Sequence, residues 1–302
     1  MVDQQQHYHN GALQEARTVV VTGGTDGIGR ALVLSRAERG DQVLAVGSNS
    51  SKGGRLLADA QGAGFRGRIE FLAADLSTVA GNLTVIEHIR STYDVVDALV
   101  LAANRQSPER VETVDGYEST FALYYLSRYL LGRDLQPTLA KGARPVIVNI
   151  AGVGLTSGTI HWEDLQLRHR YRTITAQLQA GRANDLLGVT MGEQFGQDVP
   201  YVLYHPGFTR SGDSTMERIS PMTRALIRTI ASIAARPVDK AIAPVHGFID
   251  TPPTAPLTAI DRGKPVPLDL KTLDPAAARR LADVTRQLLR TGSNAAREKG
   301  GG

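Results

Sequence analysis

The run Thr22-Gly23-Gly24-Thr25-Asp26-Gly27-Ile28-Gly29 follows the apolar stretch Thr18 to Val21 and opens the helix-like Arg30 to Leu34. Glycines between a buried strand and a helix let backbone N–H groups and the positive end of the helix dipole approach a pyrophosphate closely. The spacing therefore predicts a dinucleotide-phosphate turn in which Gly23, Thr25, Asp26, Gly27, Ile28 and Gly29 surround the phosphates. Elsewhere, Tyr124 lies on a predicted helix, and His161 lies beside Trp162 on a predicted loop, where an imidazole could act as a base. Arg168, His169, Arg170 and Arg172 form a basic cluster suited to an anionic substrate or carrier, or simply to solvent. His7 and His9 occupy a polar lead-in without a carboxylate partner, so no metal site is expected. The chain has no cysteine, which excludes thiolate catalysis, disulfides and Cys-ligated metals.

Positioning these residues requires a scaffold, and the pattern is of short β-rich apolar runs alternating with segments of helical period. That alternation predicts an α/β fold, a doubly wound parallel sheet of the Rossmann kind. Strands are expected at Thr18 to Val21, Gln42 to Val46, Arg68 to Ala73, Ala98 to Ala102, Val146 to Ile150 and Tyr201 to Tyr204. The best helices are Ile28 to Arg39, Leu83 to Thr92, Gly116 to Leu131 and Thr173 to Phe195. Beyond Pro206 the rhythm changes to Arg218 to Ala235, Val238 to Phe248, a short extended Pro256 to Ile260 and an amphipathic Pro275 to Leu289. We read one domain over residues 17–292, with a helical lid at about 212–250, between tails at 1–16 and 293–302. A net charge of +4 gives little support for nucleic-acid binding, and no apolar run is long enough to span a bilayer. The arginine, alanine and glycine bias points to a high-GC bacterial genome, and the absence of cysteine fits a reducing cytoplasm.

Several motifs in order resemble the short-chain dehydrogenase/reductase family, most closely its retinol-dehydrogenase-like and related bacterial branch. Besides the glycine turn these are Asp75-Leu76 after the third strand, Glu112 to Glu118 leading into Thr120-Phe121-Ala122, and Val148-Asn149-Ile150. His161 to Leu165 and His205 to Ser211 complete the order. The resemblance implies that Asp75, with Leu76, meets the adenine and that Ser48 and Asn49, after the second strand, line the ribose pocket. It further implies that Ala103 passes the cofactor ribose and that Ser211 hydrogen-bonds the carboxamide. Where the family holds NAD with an acidic residue, this chain has Gly47 and Ser48, and Lys52 follows, so NADP is the better match.

The same resemblance places the family's catalytic asparagine, serine, tyrosine and lysine on Tyr124, Gly152, Gln177 and Gly181. No tyrosine in the chain has a lysine four residues later, and no lysine lies between Lys141 and Lys240, so a shifted register does not restore the pair. A phenol with an ordinary pKa of about 10 relies on a nearby ammonium to pass a proton near neutrality, and glutamine cannot replace it. The expected function is a non-redox step such as cyclisation, isomerisation or dehydration of a small molecule in bacterial specialised metabolism. The alternatives are a non-catalytic partner or NADP-sensing subunit of an active homologue, and an atypical NADP-dependent reductase using Tyr124. The family also implies a homo-oligomer, or a hetero-oligomer with an active relative, built on the helices at 116–131 and 173–195.

Overall fold

The computed structural model describes residues 16–207 and 237–299. Among them, eight strands form one sheet in the order β3-β2-β1-β4-β5-β6-β7-β8. β1 (Thr18–Thr22), β2 (Gln42–Gly47) and β3 (Arg68–Ala73) run outward to one edge, while β4 (Ala98–Leu101), β5 (Val146–Ile150), β6 (Tyr201–His205) and β7 (Leu257–Asp261) run to the other. All of these pair in parallel, and β8 (Lys264–Pro265) closes the far edge antiparallel to β7. The central strands read as unbroken apolar runs because both faces are covered, the signature of a parallel sheet.

One face carries α1 (Gly27–Glu38), α2 (Ser50–Ala63) and α8 (Val238–Asp250), whose Leu32, Val33, Leu56, Ile242, Val245 and Ile249 pack with Val19, Val43 and Val202. The other carries α3 (Val79–Thr92), α4 (Ser119–Phe121), α5 (Ser127–Asp134), α6 (Gln136–Leu139), α7 (Thr173–Phe195) and α9 (Pro275–Lys299). Ile86, Phe121, Leu131, Leu187 and Leu281 belong to the core on that side. The sheet is thus a wall between two apolar layers, and the loops at its carboxyl ends are what remain free to bind a ligand.

Four expectations are corrected. The helix expected from Gly116 begins at Ser119, because Gly116 is a turn residue at φ +82 inside a Glu112–Glu118 antiparallel bridge. It also runs through a π-helical segment, Ala122–Leu126, before α5. The lid does not extend to residue 250: α8 is a core helix, fixed to α1 by Arg36–Asp250 at 2.6 Å and by Ser35–His246 at 3.2 Å. The final helix continues to Lys299, so residues 293–299 are helical rather than a tail. The expected helix Arg218 to Ala235, the rest of the lid and Ser211 lie outside the described residues.

Candidate active site

The glycine turn is built as the sequence requires. Gly23 adopts φ +68, and a Cβ there would come 2.8 Å from the Ala103 Cα, so the turn lies directly against the end of β4. A Cβ on Gly29 would stand 2.3 Å from the Gly23 carbonyl oxygen, which leaves only glycine at the start of α1. Asp26 caps α1 by accepting from the Gly27 N–H at 2.8 Å. The N–H groups of Ile28 and Gly29 have no acceptor one turn back and face the amino end of the helix.

The ribose corner differs from the sequence reading. Thr25 crowds Gly47, with its Oγ1 2.8 Å from where a Cβ would stand. Ser48 and Asn49 are exposed, and the Asn49 side chain caps α2 by accepting from the Lys52 N–H at 2.9 Å. The Lys52 ammonium is ion-paired with Asp26, so the cation expected to favour a 2′-phosphate already has a carboxylate partner. Burial raises the Asp26 carboxyl, but Lys52, the Gly27 N–H and Arg30 together bring it below its ordinary value. Asp75 is exposed, accepting from the Ser77 N–H and hydroxyl through one carboxylate oxygen, and Leu76 is buried beside it. In shape this cradle suits a dinucleotide, with glycines where a Cβ would collide with the turn's own backbone. In charge it carries a compensated pair rather than a free cation.

Deeper along the strand ends lies the second half of the site. Tyr124 sits in the π-helical segment, 7% exposed, and with Ala151 and Ala180 forms a small apolar cluster separate from the two main cores. Its hydroxyl accepts from the Gly152 N–H at 3.3 Å, and burial raises its pKa against the opposing effect of Arg128. The phenol is therefore protonated at neutral pH. Arg128, one turn on and 1% exposed, lies over the Tyr124 ring at 4.6 Å and donates to Ile150 O and Ala103 O at 2.9 Å each and to Asn149 Oδ1. Asn149 donates to Asn184 and to the Tyr201 hydroxyl, and Asn184 donates to the Tyr124 carbonyl at 2.7 Å. This network ties the ends of β4 and β5 to α7 and fixes the π-helical segment between them, since each buried polar group would cost free energy if left without a partner.

On α7, Gln177, Gly181 and Asp185 recur every four residues and so share a face. Gln177 is paired with Asn104, donating and accepting across 3.4 and 3.2 Å, and also donates to Arg105 O. A Cβ on buried Gly181 would meet nothing within 4 Å, whereas one on Gly152 would meet only the flexible Leu155 Cδ1 at 2.9 Å. Asp185 is 1% exposed, and burial pushes its carboxyl up to about 7. It escaped the sequence reading, although one acidic residue inside the otherwise uncharged stretch Ala183 to Gly192 was a usable signal. His161 is exposed on its loop, its backbone N–H bonded to Gln179, while Arg168, His169, Arg170 and Arg172 are all exposed. Trp162 is stacked under Arg280 at 4.1 Å. Among the described residues no cluster of His, Asp or Glu could hold a metal, and no helix is long and apolar enough to cross a membrane.

The sheet order and the glycine turn define a doubly wound α/β protein of the Rossmann kind, and comparison with known proteins gives the family. The short chain dehydrogenase family matches residues 17–163. A protein of Streptomyces sp. (strain C5) assigned as a daunorubicin C-13 ketoreductase is 30% identical over 235 residues, covering 74% of this chain and 80% of the relative. Retinol dehydrogenase 13 of Mus musculus is 28% identical over 197 residues, 65% of this chain and 59% of that protein. A solved structure from Beutenbergia cavernae, assigned as an NAD(P)-dependent gluconate 5-dehydrogenase with bound NADP, superposes with a TM-score of 0.61 at 23% identity. It covers 84% of this chain and 98% of the other. The chain belongs to the short chain dehydrogenase family.

Proposed function

We propose that this protein holds NADP on its glycine turn and uses the side chains at the strand ends for a non-redox step on a small molecule, a cyclisation, isomerisation or dehydration in bacterial specialised metabolism. One observation carries the reading: the two α7 positions where the family keeps its phenol and ammonium hold an amide paired to Asn104 and a glycine facing open space. Gly23, Thr25, Asp26, Gly27, Ile28 and Gly29 would hold the phosphates, Ser48 and Asn49 the ribose, and Asp75 and Leu76 the adenine, with Ala103 beside the second ribose. When bound, NADP supplies a hydride donor or acceptor. The residues of this chain orient the substrate and exclude water, and an oriented conformer can lower a barrier without many titratable groups.

Restoring the missing groups tests this reading. Gln177→Tyr with Gly181→Lys is expected to raise NADPH-dependent ketone reduction at least ~10²-fold over the wild-type chain, the size of a positioned acid. If the wild-type chain already reduces ketones as fast as the double variant, the reading is wrong. A second reading has its own observation: the Tyr124 hydroxyl proton has no acceptor among the described residues, so Tyr124 could serve as the acid of an atypical NADP-dependent reductase. NADPH oxidation abolished by Tyr124→Phe would select it.

A further inference from the structure

We infer, on the basis of the non-redox reading above, that Asp185 and Tyr124 form a proton-transfer site for small unsaturated ketones, with Asp185 as the base at carbon and Tyr124 as the hydrogen-bond donor to the enolate oxygen.

Three placements support this. Tyr124 and Asp185 are held from the same short loop, the phenol by the Gly152 N–H at 3.3 Å and the carboxylate by the Gly154 N–H at 3.2 and 3.4 Å. The two loop residues that hold them, Gly152 and Gly154, are separated by a single residue. Gly181 lies one helical turn before Asp185 on the same face of α7, and a Cβ there would meet nothing within 4 Å. Each group also has unused capacity. The Tyr124 hydroxyl donates to nothing among the described residues, and Asp185 receives a single N–H although a carboxylate can accept about four hydrogen bonds.

The chemistry balances without an outside reagent. Asp185 as carboxylate takes the proton from the carbon between the carbonyl and the double bond of a β,γ-unsaturated ketone. The C–H electron pair forms a new C=C bond, and the carbonyl electrons move to oxygen, where the Tyr124 O–H holds them. Asp185 then returns the same proton to the γ carbon, the carbonyl re-forms, and the product is the conjugated ketone. A neutral phenol and a carboxylate whose pKa lies near the working pH suit these two roles. Burial raises the Asp185 carboxyl, while Arg182 on its own helix and the Gly154 N–H act against that rise, and the Asp185 charge in turn raises the Tyr124 phenol.

The test uses the full chain with cyclohex-3-en-1-one as probe, following the conjugated product by ultraviolet absorbance. NADPH oxidation with cyclohexanone is measured in parallel. We expect isomerisation above the buffer rate, rising with pH through the titration of Asp185. Asp185→Asn, which keeps the size and the Gly154 bond, should lower it ~10²- to 10⁴-fold. Tyr124→Phe should lower it ~10²-fold while leaving the pH midpoint in place. Asp185→Glu should recover part of the rate. No isomerisation, or isomerisation indifferent to Asp185→Asn in a variant whose circular dichroism is unchanged, overturns the proposal. Rapid NADPH oxidation by cyclohexanone instead overturns the non-redox reading beneath it, so the two failures are distinguishable.

Discussion

The glycine turn after β1 and the strip Gln177-Gly181-Asp185 on α7 are the two parts of the candidate site, yet they are specified in different ways. The turn is fixed by backbone packing: Gly23 lies against Ala103 and Gly29 against the Gly23 carbonyl, with no room for a methyl group at either. Its shape persists whether or not a nucleotide binds. The α7 strip is spaced by the helical repeat, and its chemistry depends on which side chains it presents. At Gly181 the packing leaves room for a side chain, since a Cβ there would meet nothing within 4 Å. Family membership is therefore read from the first region, and activity has to be argued from the second.

The largest effect that would break this contrast is expected at the turn. Gly29→Ala places a methyl 2.3 Å from a backbone oxygen that has no rotamer to adopt, so dinucleotide affinity measured by calorimetry should fall by more than ~10²-fold and thermal stability should drop. Retained affinity would show that the turn is looser than its packing. On α7 the expectation is reversed. Gly181→Lys alone should fold with little change in melting temperature, and adding Gly152→Ser to the restored Gln177→Tyr, Gly181→Lys pair should raise ketone reduction further, by roughly 10-fold, because such residues act as a unit.

Asp185 offers a sharper, pH-resolved comparison. Burial pushes its carboxyl up to about 7 in the folded protein from an ordinary 3.8, so the unfolded chain releases this proton first as pH rises. Stability from this group is present below about pH 4 and is lost as pH climbs to about 7. Asp185→Asn should therefore stabilise the protein at pH 8 by roughly 4 kcal/mol at ~1.4 kcal/mol per unit, and by much less at pH 4, measured by urea unfolding. An equal effect at both pH values would contradict a buried, raised carboxyl. His246, on α8, titrates in the opposite sense. Burial and the nearby Arg39 and Arg36 lower it to about 4 from 6.5, so its contribution is lost as pH falls from about 6.5 toward 4. His246→Gln should flatten that acid limb and produce the smallest change in this series.

How much of this was legible in the sequence depends on which force sets each part. The central strands were readable because burial on both faces demands unbroken apolar runs such as Val19-Val20-Val21. α7 was readable end to end from its helical period, whereas α2 buries only Gly53 and Leu56 and gave a weak pattern. The extent of the lid came from family placement rather than periodicity, although Ile242, Val245 and Ile249 lie on one helical face and mark a core helix. The π-helical segment at Tyr124 had no local signal, because it arises from contacts with Asn184 and Arg128 that are distant in sequence or specific to the fold. Asp185 and the Lys52–Asp26 pair were missed for the same reason: burial and pairing are set by tertiary neighbours.

In the proposed role the glycine turn binds the nucleotide and no hydride passes to ordinary carbonyls. Its most direct test is NADPH oxidation by the wild-type chain across a panel of ketones and aldehydes, at NADPH concentrations that calorimetry shows to saturate the site. The account predicts saturable binding with no oxidation above the buffer rate. Turnover comparable to that of family members retaining the tyrosine and lysine would contradict it.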